Sequence, residues 1–243
     1  MHSDLFDTTI PFGEPELMSA SSYRRYLDEA DTAQRKGRNS GIASLSPSLQ
    51  ADLGRFEQES GSTEAVEVLA ACVRHAKRLT IHLQYGNRVV PVTVFPQEKI
   101  VHCPMPMCEL TARSLAELRV MNVEPAMLTP PIDIERALTE DDHIYHPLAP
   151  LLWEIAMRGQ RRELLPEIVG PAVYRVAPGL DLGALPASGL LKAAIVRLRG
   201  LASNLNEIAG WPGLDRERAA RLLNALYLQA GLIISRSHPD AVR

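Results

Sequence analysis

Residues 187–236 constrain this chain most, because three apolar periodicities of helical spacing follow one another there with start and stop signals between them. ASGLLKAAIVRLRG leads into LASNLNEIAGWPG and then LDRERAARLLNALYLQAGLIISR. Leu190, Leu191, Ala194, Ile195 and Leu198 recur at helical spacing and predict the core stripe of a first helix. Ser203 or Asn204 stands where a short second helix, carrying Leu205 and Ile208, needs a cap. Gly210-Trp211-Pro212-Gly213 is a turn. Asp215 then caps a long third helix with Ala219, Leu222, Leu223, Leu226 and Ala230 facing inward and Gly231 to stop it. LIIS, 232–235, closes the run as a strand.

Upstream the period changes from helical to two. Val66, Leu69, Ala70, Val73 and Ala76 predict a helix capped by Ser62 or Thr63. Over 79–85, Leu79, Ile81, Leu83 and Tyr85 alternate with Thr80, His82 and Gln84, the pattern of a half-buried strand. Gly86-Asn87 is a hairpin signal, and 88–95 returns as a second strand that Pro91 confines to an edge or a bulge. A third strand is expected over 99–103 and a helix over 109–121. The fold class expected is α+β and helix-rich: a small three-stranded antiparallel meander with flanking helices, then a helical C-terminal domain. The boundaries expected are an N-terminal arm, helix and linker over 1–60, the α+β module over 61–130, a connector with one helix (148–159) over 131–186, and the C-terminal domain over 187–243. Within the first of these, an arm over 1–20, a helix over 21–36, a linker over 37–48 and a short helical piece over 49–57 are expected.

The chain of 243 residues is 46% hydrophobic but only 5% aromatic, which favours helix-rich packing over an all-β sandwich. Its net charge of −3 argues against coating nucleic acid through bulk charge. Three cysteines are too few for a disulfide framework and fit a reducing compartment. The N-terminus lacks the basic and apolar regions of a signal peptide, and no apolar run approaches the length of a membrane span. A cytoplasmic protein without membrane insertion is expected.

Three groupings carry candidate chemistry. His102, Cys103 and Cys108, with Cys72 and His75, offer zinc-type ligands but no C-x-x-C knuckle. His143 and His146 beside Asp141 and Asp142 form a second set in a polar loop. A Cys/His nucleophile drawn from these has no oriented third member. The expectation is therefore no catalytic residue, no cofactor and no metal, with a metal- or thiol-dependent enzyme as the lesser alternative.

Helix, helix, long helix and strand is also the order of a winged-helix unit, whose third helix can read the DNA major groove. Arg216, Arg218, Arg221, Asn224 and Arg236 are the candidate contacts to DNA or to a partner. Arg and Asn suit guanine and adenine edges, whereas Glu217 among them suits an ordinary solvated face. The block from STEAVEVLAACVRHAKRLTIHLQYGNRVVPVTVF through QEKIVHCPMPMCELTARSLAELRVMNVEPAM resembles the PATAN (PatA N-terminal) bacterial regulatory domain, with Glu98 and Lys99 where that family places a glycine. The C-terminal region is similar to the winged-helix region often joined to such domains. The resemblance implies a non-catalytic regulatory adaptor acting through protein–protein interactions in a signalling pathway. A protein partner is expected, a DNA-binding regulator is the alternative, and a homodimer is compatible with either.

Overall fold

The computed structural model describes residues 17–35, 48–49, 64–112, 115–139, 144–181, 183, 185–187 and 189–236. The expected arm through residue 16, the linker over 37–47, the short helical piece beyond residue 49, residues 141–143 and the tail from 237 lie outside these.

Strand β1 (Leu79–Tyr85) and strand β2 (Arg88–Phe95) form the expected hairpin, with Tyr85 opposite Arg88 and Leu79 opposite Val94. Gly86 takes the positive φ, 59°, that its two-residue turn requires. Side chains alternate across a strand, so Leu79, Ile81 and Leu83 share a face with Val90, Val92 and Val94, and all six are buried. The opposite face carries Thr80, whose hydroxyl meets that of Thr93 at 3.0 Å, and His82. Helix α1 (Ala20–Arg35) lies over it: Tyr23 stacks on His82 with ring centroids 4.9 Å apart, and Arg24 donates to Gln84 at 3.0 Å.

Strand β3 (Ile100–His102) pairs with the end of β2 only, so Pro91 lies where the far side of β2 is locally an edge. Ahead of α1 the chain fills part of that edge, Val89 donating its N–H to the Met18 carbonyl at 2.9 Å. The helix expected over 109–121 breaks up. Helix α3 (Met107–Ala112) and a 3-10 turn (Leu115–Glu117) bury Leu110 and Leu115, and strand β4 (Arg119–Pro125) then runs beside β1. Val120 and Val123 are β-branched and Pro125 cannot continue a helix, and pairing with β1 satisfies that strand's second side. Helix α4 (Ile134–Thr139) leads to strand β5 (Tyr145–Pro147), which completes an antiparallel sheet of order β4-β1-β2-β3-β5. The three expected strands, β1-β2-β3, are thus the centre of a sheet of five.

Helix α2 (Ala65–His75) and helix α5 (Leu148–Arg158) bury their apolar faces in the same cluster as the sheet. Glu64 holds the N-cap position of α2, one residue beyond the caps expected. Leu148, Leu151, Leu152, Ile155 and Ala156 of α5 are buried as the periodicity predicts. Gly159 ends α5 without a positive φ; a Cβ there would stand 2.2 Å from the Ile155 carbonyl oxygen, so close backbone approach demands the glycine.

Strand β6 (Val173–Val176) precedes helix α6 (Gly189–Gly200), helix α7 (Leu205–Ala209), helix α8 (Arg216–Leu228) and strand β7 (Leu232–Ser235). Both expected caps are present. Asn204 Oδ1 accepts from the Glu207 N–H at 2.9 Å, and Asp215 Oδ1 accepts from the Arg218 N–H at 2.7 Å. The left-handed residue that stops α8 is Ala230, at φ 52°, rather than Gly231; Gly231 is held small by Leu180, 2.6 Å from where its Cβ would be. β7 pairs with β6, and Tyr174 of β6 exchanges backbone hydrogen bonds with Ser203 on its other side. The ribbon partner of LIIS thus comes from upstream of α6. One continuous buried cluster includes Val68, Ile81 and Val92 with Leu151, Ile155, Leu222 and Leu226.

Candidate functional site

Helix α8 is the spine of the C-terminal unit. Ala219, Ala220, Leu222, Leu223, Ala225, Leu226 and Leu228 are all buried. Asn224 and Arg221, two of its polar residues, also turn inward. Asn224, expected on the outer face, is wholly buried: Oδ1 accepts from the Leu165 N–H and Nδ2 donates to the Glu163 carbonyl, both at 2.9 Å. Arg221 donates to the Met157 carbonyl at 2.7 Å and pairs with Glu217 at 3.0 Å, four residues back along the helix. Gln229 donates to the Ala149 carbonyl at 2.7 Å. These bonds hold α8 along α5 and the 163–165 loop. Five residues on from Ala219, Asn224 lies about 140° round the helix from the predicted stripe. Ala220 and Leu228 flank it on that side and are buried too, so α8 is apolar nearly all round, the signal that the outward assignment overlooked.

The same loop is gripped from the other side by Arg161. Its Nη1 donates to Glu67 Oε1 and, at 3.4 Å, to Glu64 Oε2; its Nη2 donates to the Leu164 carbonyl at 3.0 Å. Glu67 is only 1% exposed, and burial, opposed by Arg161, pushes its carboxyl above the ordinary range. Neither residue is visible as a pair in the sequence, where they stand far apart.

The other basic candidates remain outside. Arg216 Nη1 donates to Asn206 Oδ1 at 2.9 Å, Arg218 Nη1 to the Gly213 carbonyl at 2.9 Å, and Arg236 Nη2 to the Glu167 carbonyl at 2.8 Å. All three side chains are exposed. Between 192 and 236 there are seven basic residues, and among the described residues Arg221 alone lies within ion-pair distance of a carboxylate.

Helix α6 supplies the surface that sequence reasoning missed. Leu190, read as a core residue, is 55% exposed, and Val196 (54%) and Leu201 (50%) lie exposed beyond it. The buried stripe is Ala194, Ile195 and Leu198 with half-buried Leu191; Leu190 is a helical step of one residue off that stripe, which is the signal for its exposure. Arg197 lies with its guanidinium carbon 4.3 Å from the centre of the Trp211 ring. Leu190 packs on Gly213, whose φ of 76° and whose absent Cβ, 2.2 Å from Leu190 Cδ1 if present, both require glycine. The 211–213 turn thereby touches Leu190, Arg197 and Arg218, and Arg216 stands beside them in the first turn of α8.

The thiol and imidazole candidates are dispersed. Cys72 is buried, with its Sγ donating to the Lys77 carbonyl at 3.0 Å, and burial pushes its pKa up to about 12. Burial likewise pushes buried Cys103 up to about 11, whereas Cys108 is exposed. His102 meets the edge of Tyr145 with ring centroids 5.2 Å apart, and burial lowers its pKa, as does neighbouring His146. No three His, Cys, Asp or Glu side chains among the described residues converge as a ligand set. No helix among them is long and apolar enough to cross a membrane. Comparison with protein families, with curated proteins and with solved structures returns no match to this chain.

Proposed function

We propose that the chain is a non-catalytic regulatory or adaptor protein of a bacterial signalling pathway, acting in the cytoplasm through protein–protein contacts. One observation carries the reading: the helix that a winged-helix reader would lay in a major groove lies instead along α5, with Asn224 and Arg221 turned toward 157–165. Of the five candidate contacts, that leaves Arg216, Arg218 and Arg236 facing outward. The exposed surface on α6 mixes leucine and valine with arginine, and the buried centre of a protein interface is more apolar than the rest of the surface and enriched in arginine. The resemblance to the PATAN regulatory domain points the same way. A thiol nucleophile at Cys72 or Cys103 is disfavoured because both side chains are buried and burial pushes each thiol pKa up.

Two measurements test the reading together. The chain used as bait in a native bacterial lysate should retain a protein in stoichiometric amount. Titrated with a mixed-sequence duplex at low salt, it should show no binding that depends on Arg216 and Arg218. Salt-sensitive duplex binding abolished by replacing those two arginines, with no protein retained, would favour the DNA-binding regulator.

A further inference from the structure

We propose that the outer face of α6, together with the 211–213 turn and the first turn of α8, is a docking site for an acidic amphipathic helix of a partner protein. The inference rests on the adaptor reading and gives it a location and a partner chemistry.

Three observations carry it. The first is the layout already described: Leu190 against Gly213, Arg197 over Trp211, Arg218 on the Gly213 carbonyl and Arg216 beside Asn206. Apolar and cationic groups are therefore fixed on one rigid surface by contacts within the chain. Each of the three arginines has one intramolecular contact and retains further N–H donors, since a guanidinium carries five. The second is charge. The acids of 187–236 are Glu207, Asp215 and Glu217, and all three are engaged: Glu207 with the Asn204 N–H, Asp215 with the Arg218 N–H, and Glu217 with Arg221 and Arg162. Arg197, Arg216 and Arg218 have no carboxylate at ion-pair distance among the described residues. Over 187–236 seven basic residues stand against these three acids, an excess of four positive charges that a partner's carboxylates complement. The third is shape. Leu190, Ala193 and Val196 recur along α6 at the spacing of one helix face, and all are exposed. A helix laid alongside meets such a row with anchors at i, i+3, i+4 and i+7.

The rival occupants fit less well. A second copy docked by the same face would set Arg197 and Arg216 against their own equivalents, because a two-fold contact is self-complementary. A duplex would bring phosphate rather than apolar surface to Leu190 and Val196. An anionic bilayer would accept both leucine and arginine, but it offers no register for the fixed spacing of the arginines.

The test uses the full chain and a fluorescein-labelled synthetic helix with leucine at its a and d positions and glutamate elsewhere, followed by anisotropy. The wild-type chain should bind it, and added salt should weaken binding. Arg197→Glu with Arg216→Glu should weaken binding by roughly tenfold or more while leaving the melting temperature in place. The same helix with lysine for glutamate should bind that double variant and not the wild type. Val196→Asp, at an exposed position, should weaken the glutamate helix without altering the fold. No binding by the wild type, equal binding by the charge-reversed chain, or tighter binding of a DNA duplex or of phosphatidylserine vesicles would each overturn the site. A lysate partner retained equally by wild type and double variant would remove this site and leave the adaptor reading standing; a wild type that retains none would remove both.

Discussion

The arginines of this chain fall into two regions with opposite environments. At the seam between the sheet and the C-terminal unit, Arg161 and Arg221 are mostly covered: Arg161 binds Glu64 and Glu67 at the start of α2 and the Leu164 carbonyl of its own loop, and Arg221 binds Glu217 and the Met157 carbonyl of α5. On the outer side, Arg197, Arg216 and Arg218 touch an aromatic ring, an amide and a carbonyl, and no carboxylate among the described residues. The residue type is the same and the consequence differs. A guanidinium removed from water must have its charge and its donors met by the fold, so the seam arginines are structural. A guanidinium left in water contributes little to stability, and its unmet charge is available to a partner.

The contrast is most exposed to failure at Arg161. Arg161→Met leaves the Glu67 carboxylate buried without its cation and frees the Leu164 carbonyl, and should cost about 3–5 kcal/mol in urea unfolding. A loss near zero would mean that the seam is not held by its charges. Asn224→Ala comes next. It leaves the Leu165 N–H without its partner inside the core and the Glu163 carbonyl with only the 3.3 Å bond from Arg161 Nε, for an expected loss of about 1–3 kcal/mol in the same measurement.

Much of this division is illegible in the sequence. The hairpin, the apolar face of α5 and both caps of the C-terminal unit follow from local rules: alternation around Gly86, a 3.6-residue stripe, and side-chain oxygens at Asn204 and Asp215. What local rules miss is set by distant partners. Residues 119–125 become a strand because β1 has an open side to be filled, and Val173–Val176 becomes the centre of a ribbon because Ser203 and β7 flank it. Asn224 looks like a base-reading residue on an exposed helix until the loop over 163–165 closes on it. The outward arginines of α8 are legible; the value of Arg197 appears only when Trp211 comes beneath it.

A smaller effect sharpens the comparison through pH. Burial raises the Glu67 carboxyl above its ordinary value of 4.5, although Arg161 opposes the shift. A raised pKa in the folded state means that the folded chain holds the proton more tightly. Stability from this group is therefore complete below about 4.5 and is lost as pH rises through the folded value. Glu67→Gln should flatten that fall in a series of urea midpoints taken from acid to neutral pH. Arg161→Met should extend the fall to higher pH. The smallest effect belongs to the outer set: Arg216→Ala and Arg218→Ala should each change stability by no more than about 0.5 kcal/mol, and a loss comparable with that of Asn224→Ala would erase the distinction between the two regions.

Amide hydrogen exchange of the full chain, with and without the glutamate helix, reaches both halves of the account at once. The prediction is that amides of α8 over 219–228 exchange only through global unfolding in the free chain, and that added helix brings new protection to 189–201 and 211–218. Fast exchange along 219–228 in the free chain, or new protection there and not on α6, would contradict it.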